Sequence, residues 1–181
     1  MIHVPFSALV FVGSTLLAVL LVPLTRLAAE RLGVLDHPGH RKLHKTPTPR
    51  LGGIAVFGAF MGIVASGHWL VPLLSRSPLA QGWLGSTLAL FQEVHRVEGK
   101  LIGVLLGATL AFLIGLLDDV LGSRFPVTVK AGGQIAAALV LVLAGVRVSF
   151  LPYEWMNLAL TLVWLVGMTN AFNLLDNMDG L

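Results

Sequence analysis

The sequence has no cysteine, and only 12% of its 181 residues are charged. The missing cysteines exclude a disulfide-stapled secreted module. The charge content is roughly half of the about 25% carried by ordinary soluble domains. The few charges present also collect between apolar runs, whereas a soluble globule spreads them along its helices to keep one face in water. A disordered chain is excluded by the 56% hydrophobic content, and no collagen-like repeat is present. What is there in quantity is long apolar sequence, with a mean hydropathy of +0.86. The composition is that of an integral membrane protein.

A spanning helix needs about 20 consecutive apolar residues. Five runs meet or approach this: 4–25, 51–74, 101–117, 128–147 and 155–175. The expected fold is therefore all-α, a polytopic helical bundle of about five transmembrane helices forming one membrane domain over 1–181. The first run is not a secretory signal, because only His3 precedes it and its apolar stretch far exceeds 7–15 residues. A short interfacial helix is expected around 83–91 in the connection between the second and third runs.

Orientation follows from the basic residues. Segments 26–50 and 118–130 hold 8 of the Lys and Arg residues and the alternate connections hold 4. The positive-inside rule puts the first set in the cytoplasm and the start of the chain outside. The formal net charge of +3 and pI of 9.8 call for no nucleic-acid partner, since basic loops anchor a membrane protein at anionic headgroups.

Every aspartate lies in three segments on that predicted cytoplasmic side: 36–53, 115–134 and 169–181. The glycines at 99, 103, 107 and 115, with Ala111, recur every four residues. They make a small-residue ridge that lets another helix approach closely. Gly52 and Gly53 follow Thr-Pro-Thr-Pro-Arg, a stiff basic loop at the membrane surface. That loop is equally readable as an anion-binding rim or as a helix connector. Asp118 and Asp119 close an apolar helix at the membrane boundary, where carboxylates are expensive and functional by default. Adjacent residues on a helix point about 100° apart, so both reach one ligand only if the helix ends there. With the negative end of the helix dipole they suit a hard cation such as Mg²⁺, a solvated helix end being the other reading. Asn170, Asn173, Asp176 and Asp179 recur every three residues, so all four converge only if their helix tightens or breaks.

These segments, in this order, resemble the polyprenyl-phosphate N-acetylhexosamine-1-phosphate transferases, the membrane glycosyltransferase family 4 enzymes. Arg41-Lys42-x-His44-x-x-Pro47-x-Pro49-Arg50-x-Gly52-Gly53 is similar to the family's first cytoplasmic motif. Asp118-Asp119 followed by Lys130 and Gln134 is similar to the second. Asn170-x-x-Asn173-x-x-Asp176-Asn177-x-Asp179-Gly180 is similar to the third, with Asn177 where glycine is commoner. Pro-Arg-Leu-Gly-Gly at 49–53 resembles enzymes that load N-acetylglucosamine phosphate; the phospho-N-acetylmuramoyl-pentapeptide transferases, the second choice, typically carry Gly-Thr-Pro-Thr-Met-Gly-Gly there.

The resemblance implies transfer of a sugar phosphate from a UDP-N-acetylhexosamine to undecaprenyl phosphate at a bacterial inner membrane, with release of UMP. It implies Mg²⁺, with Mn²⁺ as an alternative, and it leaves a homodimer open. Asp118, Asp119 and Lys130 take the catalytic roles, with Lys130 on phosphate and Asp118 orienting the lipid phosphate or accepting its proton. His44, Arg50, Asn170 and Asp179 bind substrate, and Asn173 and Asp176 hold the metal or the pyrophosphate. The resemblance covers the first half of a fold of about ten helices, so the chain is expected to be truncated, to be inactive alone, and to seat its glycine ridge against the second half. Two other classes fit the residues less well. A degenerate membrane scaffold is disfavoured by the retained motifs, and a carrier or channel subunit by midplanes bare of charge.

Overall fold

A computed structural model describes residues 6–36, 46–74, 76–78 and 98–176. The five helices among them are α1 (Phe6–Leu32), α2 (Gly52–Leu74), α3 (Glu98–Leu121), α4 (Val127–Leu143) and α5 (Glu154–Asp176). A two-stranded antiparallel ladder, β1 (Leu35–Asp36) with β2 (Thr48–Pro49), stands between α1 and α2. The expected all-α membrane class holds. Among the described residues, four helices are long and apolar enough to cross a membrane. The fourth expected span is the exception, because α4 is only 17 residues long. At 1.5 Å per residue it reaches about 26 Å, slightly less than the roughly 30 Å hydrocarbon core. The interfacial helix expected around 83–91 lies outside the described residues.

Burial is inverted relative to a soluble protein. The buried apolar residues are mostly alanines (Ala29, Ala55, Ala59, Ala137, Ala138), while Phe11, Leu20, Val56, Trp69, Leu143 and Trp164 are exposed. Lipid tails are as apolar as leucine, so no hydrophobic force draws large side chains inward; helices meet where small residues let backbones approach.

The chain forms two compact units, one comprising Met1–Ala28 and Gly52–Glu98 and the other Ala29–Leu51 and Gly99–Leu181. In the first unit, glycines on both helices receive the partner's side chains. A Cβ at Gly58 would lie 3.1 Å from Leu21, and one at Gly62 would lie 3.1 Å from Leu17.

In the second unit the glycine ridge of α3 packs on α4. A Cβ at Gly103 would fall 2.0 Å from that of Ala144, and one at Gly107 would fall 3.2 Å from the Ala137 carbonyl. The ridge was expected to await helices beyond the chain, but these two positions are filled by the helix that follows. Gly99 and Gly115 face open space. The short connection after α4 explains the pairing. Gly145, at φ 79°, caps α4 in a left-handed turn, with Val146 donating to the Leu141 carbonyl at 2.9 Å. The returning α5 packs along α4.

Two polar residues hold that connection. Asn157 accepts from the Leu151 amide at 3.0 Å and donates to the Leu151 carbonyl at 3.2 Å. The Thr161 hydroxyl accepts from the Val148 amide at 3.0 Å. Each is only 5% exposed, so each buried polar side chain finds its partner in a main-chain group of the connection. Arg147 and Glu154 form an ion pair across the same connection.

Candidate functional site

The turn between α3 and α4 gathers the chemistry of the second unit. α3 does not end at its aspartates; it continues to Leu121, and a 3₁₀ turn over Gly122–Arg124 leads to Pro126, the N-cap of α4. Asp118 and Asp119 therefore diverge by about 100°, which corrects the expectation of two carboxylates splayed onto one ligand at a helix end. Asp118 faces Lys130: the ammonium Nζ donates to Oδ2 at 2.7 Å, with the side chains 20% and 29% exposed for lysine and aspartate.

Both partners oppose the helix dipoles. Asp118 and Asp119 sit in the last turn of α3, at its negative end, and Lys130 in the first turn of α4, at its positive end. Each such placement costs about 0.3–1 kcal/mol at a helix terminus. A sequence tuned only for helix stability would reverse them. The ion pair offsets part of this cost, and the arrangement concentrates both signs of charge at one turn.

One helical turn further along α4, Gln134 meets Asn170 of α5. The two amides exchange hydrogen bonds, Asn170 Nδ2 to Gln134 Oε1 at 2.8 Å and Gln134 Nε2 to Asn170 Oδ1 at 3.3 Å. Asn170 Nδ2 also bonds the Val166 carbonyl at 2.9 Å. Lys130 and Gln134, four residues apart on α4, thus tie it to α3 and α5 on successive turns. α5 remains helical through Asp176, so the break that would have let Asn170, Asn173 and Asp176 converge is absent among the described residues. Asn170 turns inward to Gln134 and Asn173 is exposed.

The Asp176 side chain lies outside the described residues, as do His44 and Asp179. Arg50 is described: its Nη2 donates to Asp36 Oδ1 at 2.6 Å. The roles of Gln134 and Asp36 were not assigned from sequence, although both stand inside the quoted segments. Their signal was positional, a polar group at i+4 from Lys130 and the single aspartate opening the basic loop.

Among the described residues, no three His, Cys, Asp or Glu side chains gather into a metal cage. Mg²⁺ requires only one or two carboxylates when water and substrate phosphates complete its shell. The oxygen donors of Asp118, Asp119 and Asn173 are of that chemical type.

Residues 101–181, which carry this turn and both helix–helix polar contacts, match the family model "Glycosyl transferase family 4". These residues are similar to that family. Similar relatives extend over nearly all of the chain. A Bacillus subtilis protein named probable undecaprenyl-phosphate N-acetylglucosaminyl 1-phosphate transferase is 29% identical over 94% of this chain and 42% of its own length. A Mycobacterium tuberculosis decaprenyl-phosphate N-acetylglucosaminephosphotransferase is 34% identical over 98% of this chain and 42% of its own. A Synechococcus phospho-N-acetylmuramoyl-pentapeptide-transferase is 34% identical over 98% of this chain and 49% of its own. The chain therefore spans somewhat under half the length of these curated relatives. No solved structure matches it.

Proposed function

We propose that this protein, in its complete form, transfers N-acetylglucosamine-1-phosphate from a UDP-sugar to undecaprenyl phosphate, with the reacting groups at the cytoplasmic face of the bacterial inner membrane. The observation that carries the reading is the Asp118–Lys130 ion pair at the α3–α4 turn, backed on the next turn by Gln134–Asn170. The amide pair joins a residue of the second motif to one of the third within one unit. The names of the relatives support the donor and acceptor classes, and Pro-Arg-Leu-Gly-Gly at 49–53 favours N-acetylglucosamine over the muramoyl-pentapeptide alternative.

In this reading an oxygen of the lipid phosphate attacks the phosphorus that bears the sugar. The bond from that phosphorus to the bridging oxygen breaks, and UMP leaves with the oxygen. Both substrates are anions, so the site must cancel their repulsion. Lys130 has three donors, and Asp118 occupies one of them, so a phosphate can enter beside the existing pair. Asp118 keeps the ammonium aimed at the turn. A phosphate monoester has a second pKa near 6 and is already mostly dianionic at neutral pH, so the acceptor needs little help from a base. Asp119, Asn173 and Asp176 are the residues that would hold Mg²⁺, which when bound supplies positive charge to the pyrophosphate.

The test is a transfer assay with radiolabelled UDP-N-acetylglucosamine and undecaprenyl phosphate in membranes carrying the protein at its native length. Lipid-linked label together with stoichiometric UMP is the expected result. Label transfer only from the UDP-muramoyl-pentapeptide would replace the proposed donor, and transfer from neither would remove the activity.

A further inference from the structure

We propose that Asp36 is a positioning residue, holding the Arg50 guanidinium at the α3–α4 turn so that Arg50 engages a substrate phosphate there. The inference rests on the transfer reading above and adds a residue that reading does not use.

The β1–β2 register sets the pair. Asp36 stands opposite Thr48, and Arg50 lies two residues beyond it, so the two side chains share one face of the ladder as diagonal neighbours. The Arg50 amide also bonds the Val34 carbonyl at 3.2 Å, which fixes the main chain from which the side chain departs. Asp36 takes one edge of the guanidinium through Nη2. The other edge lies over Gly122, where a Cβ would stand 3.3 Å from Nη1. Gly122 is in the left-handed region, at φ 56°, so both the backbone conformation and the neighbouring guanidinium favour a residue without a side chain.

This is the turn that joins the Asp118 helix to the Lys130 helix. Two cationic side chains from separate segments are thus led to it, each held by its own carboxylate. Arg50 is 32% exposed and carries five donors in a planar fork, more than one carboxylate oxygen can occupy. A fork with donors beyond the one that Asp36 engages matches the oxygens of a phosphate. The ligand class is a phosphate or pyrophosphate group, from either the nucleotide sugar or the lipid.

The test measures the rate at which phenylglyoxal modifies Arg50, by peptide mass spectrometry, in the native-length protein. Inorganic pyrophosphate, UDP-N-acetylglucosamine and undecaprenyl phosphate are added separately, so the arms identify the source of the phosphate. At least one should slow modification about tenfold in the wild type, far less in Asp36→Asn, and again strongly in Asp36→Glu. Equal protection in Asp36→Asn, or no protection by any of the three, overturns the proposal. Arg50→Lys keeps a charge opposite Asp36 and so preserves closure of the loop. It should raise KM for the protecting substrate about tenfold while leaving KM for the other unchanged; an unchanged KM for both overturns the proposal even if Asp36→Asn fails to fold. Protection by pyrophosphate in a protein without transfer activity would instead sink the transfer reading and leave the positioning role standing.

Discussion

The two ends of the α4–α5 pair both bury polar groups, but they use them differently. At the connecting end, Asn157 and Thr161 bond main-chain groups of residues 148 and 151. Those bonds satisfy peptide groups in a tight return between helices, where an orphaned donor or acceptor would be costly. At the opposite end, Asp118 bonds Lys130 and Gln134 bonds Asn170, side chain to side chain across helices. Side-chain pairs of this kind can open toward a ligand without unfolding a helix. The contrast separates polar residues that build the fold from polar residues available for chemistry, and it can be broken or sharpened by substitution.

The largest effect should come from Asp118→Asn. Loss of a charge at a site that stabilises a phosphoryl-transfer transition state should lower turnover about a hundredfold or more, with membrane insertion intact. The radiolabel transfer assay reads this directly, and near-normal turnover would take Asp118 out of the site. At the other end, Asn157→Leu removes both bonds to Leu151. It should destabilise the protein by about 1–3 kcal/mol, seen as a lower thermal midpoint in detergent, while KM for either substrate stays put.

Gly103→Ala tests packing alone. Its Cβ would fall 2.0 Å from that of Ala144, at the end of α3 remote from the aspartates. Overpacking of this kind costs about 1–3 kcal/mol, so the midpoint should fall while turnover per folded molecule holds. Thr161→Val should cost about 1 kcal/mol, by leaving the Val148 amide without its acceptor. The smallest change in stability is expected from the double substitution Gln134→Leu, Asn170→Leu. Replacing both partners of a buried hydrogen bond with apolar groups can be nearly neutral. If the amide pair belongs to the site, activity should nonetheless fall, and a double variant with full activity would make Gln134–Asn170 a second structural device like Asn157.

Much of this protein was legible before folding was considered. Apolar runs of about 20 residues can be read along the chain because a membrane helix satisfies its own backbone, so span positions depend on local sequence. The confinement of every aspartate to three segments was legible for the same reason, since charges avoid the spans. Helix ends were less legible. α3 runs past Asp119 and α1 past Arg26, because hydropathy marks where a run leaves the hydrocarbon and not where a helix stops; after Arg26 the chain continues with good helix formers, Leu-Ala-Ala-Glu-Arg-Leu.

What the sequence by itself determined is therefore the membrane class and the order of the long apolar helices. Which residues meet was decided by tertiary structure. The ion pair of Lys130 with Asp118 depends on the rotation of α3 against α4, which pack closely at Gly103 and Gly107 on Ala144 and Ala137. Asn170 could have joined Asn173 and Asp176 on a broken helix, but the unbroken α5 turns it to Gln134 instead. Asp36 and Arg50, separated by a basic loop, meet only because the β1–β2 register places them diagonally on one face. Each of these outcomes depends on an angle about a helix axis or on a strand register. Such quantities arise from packing between segments distant in sequence, and no local pattern of residue types encodes them.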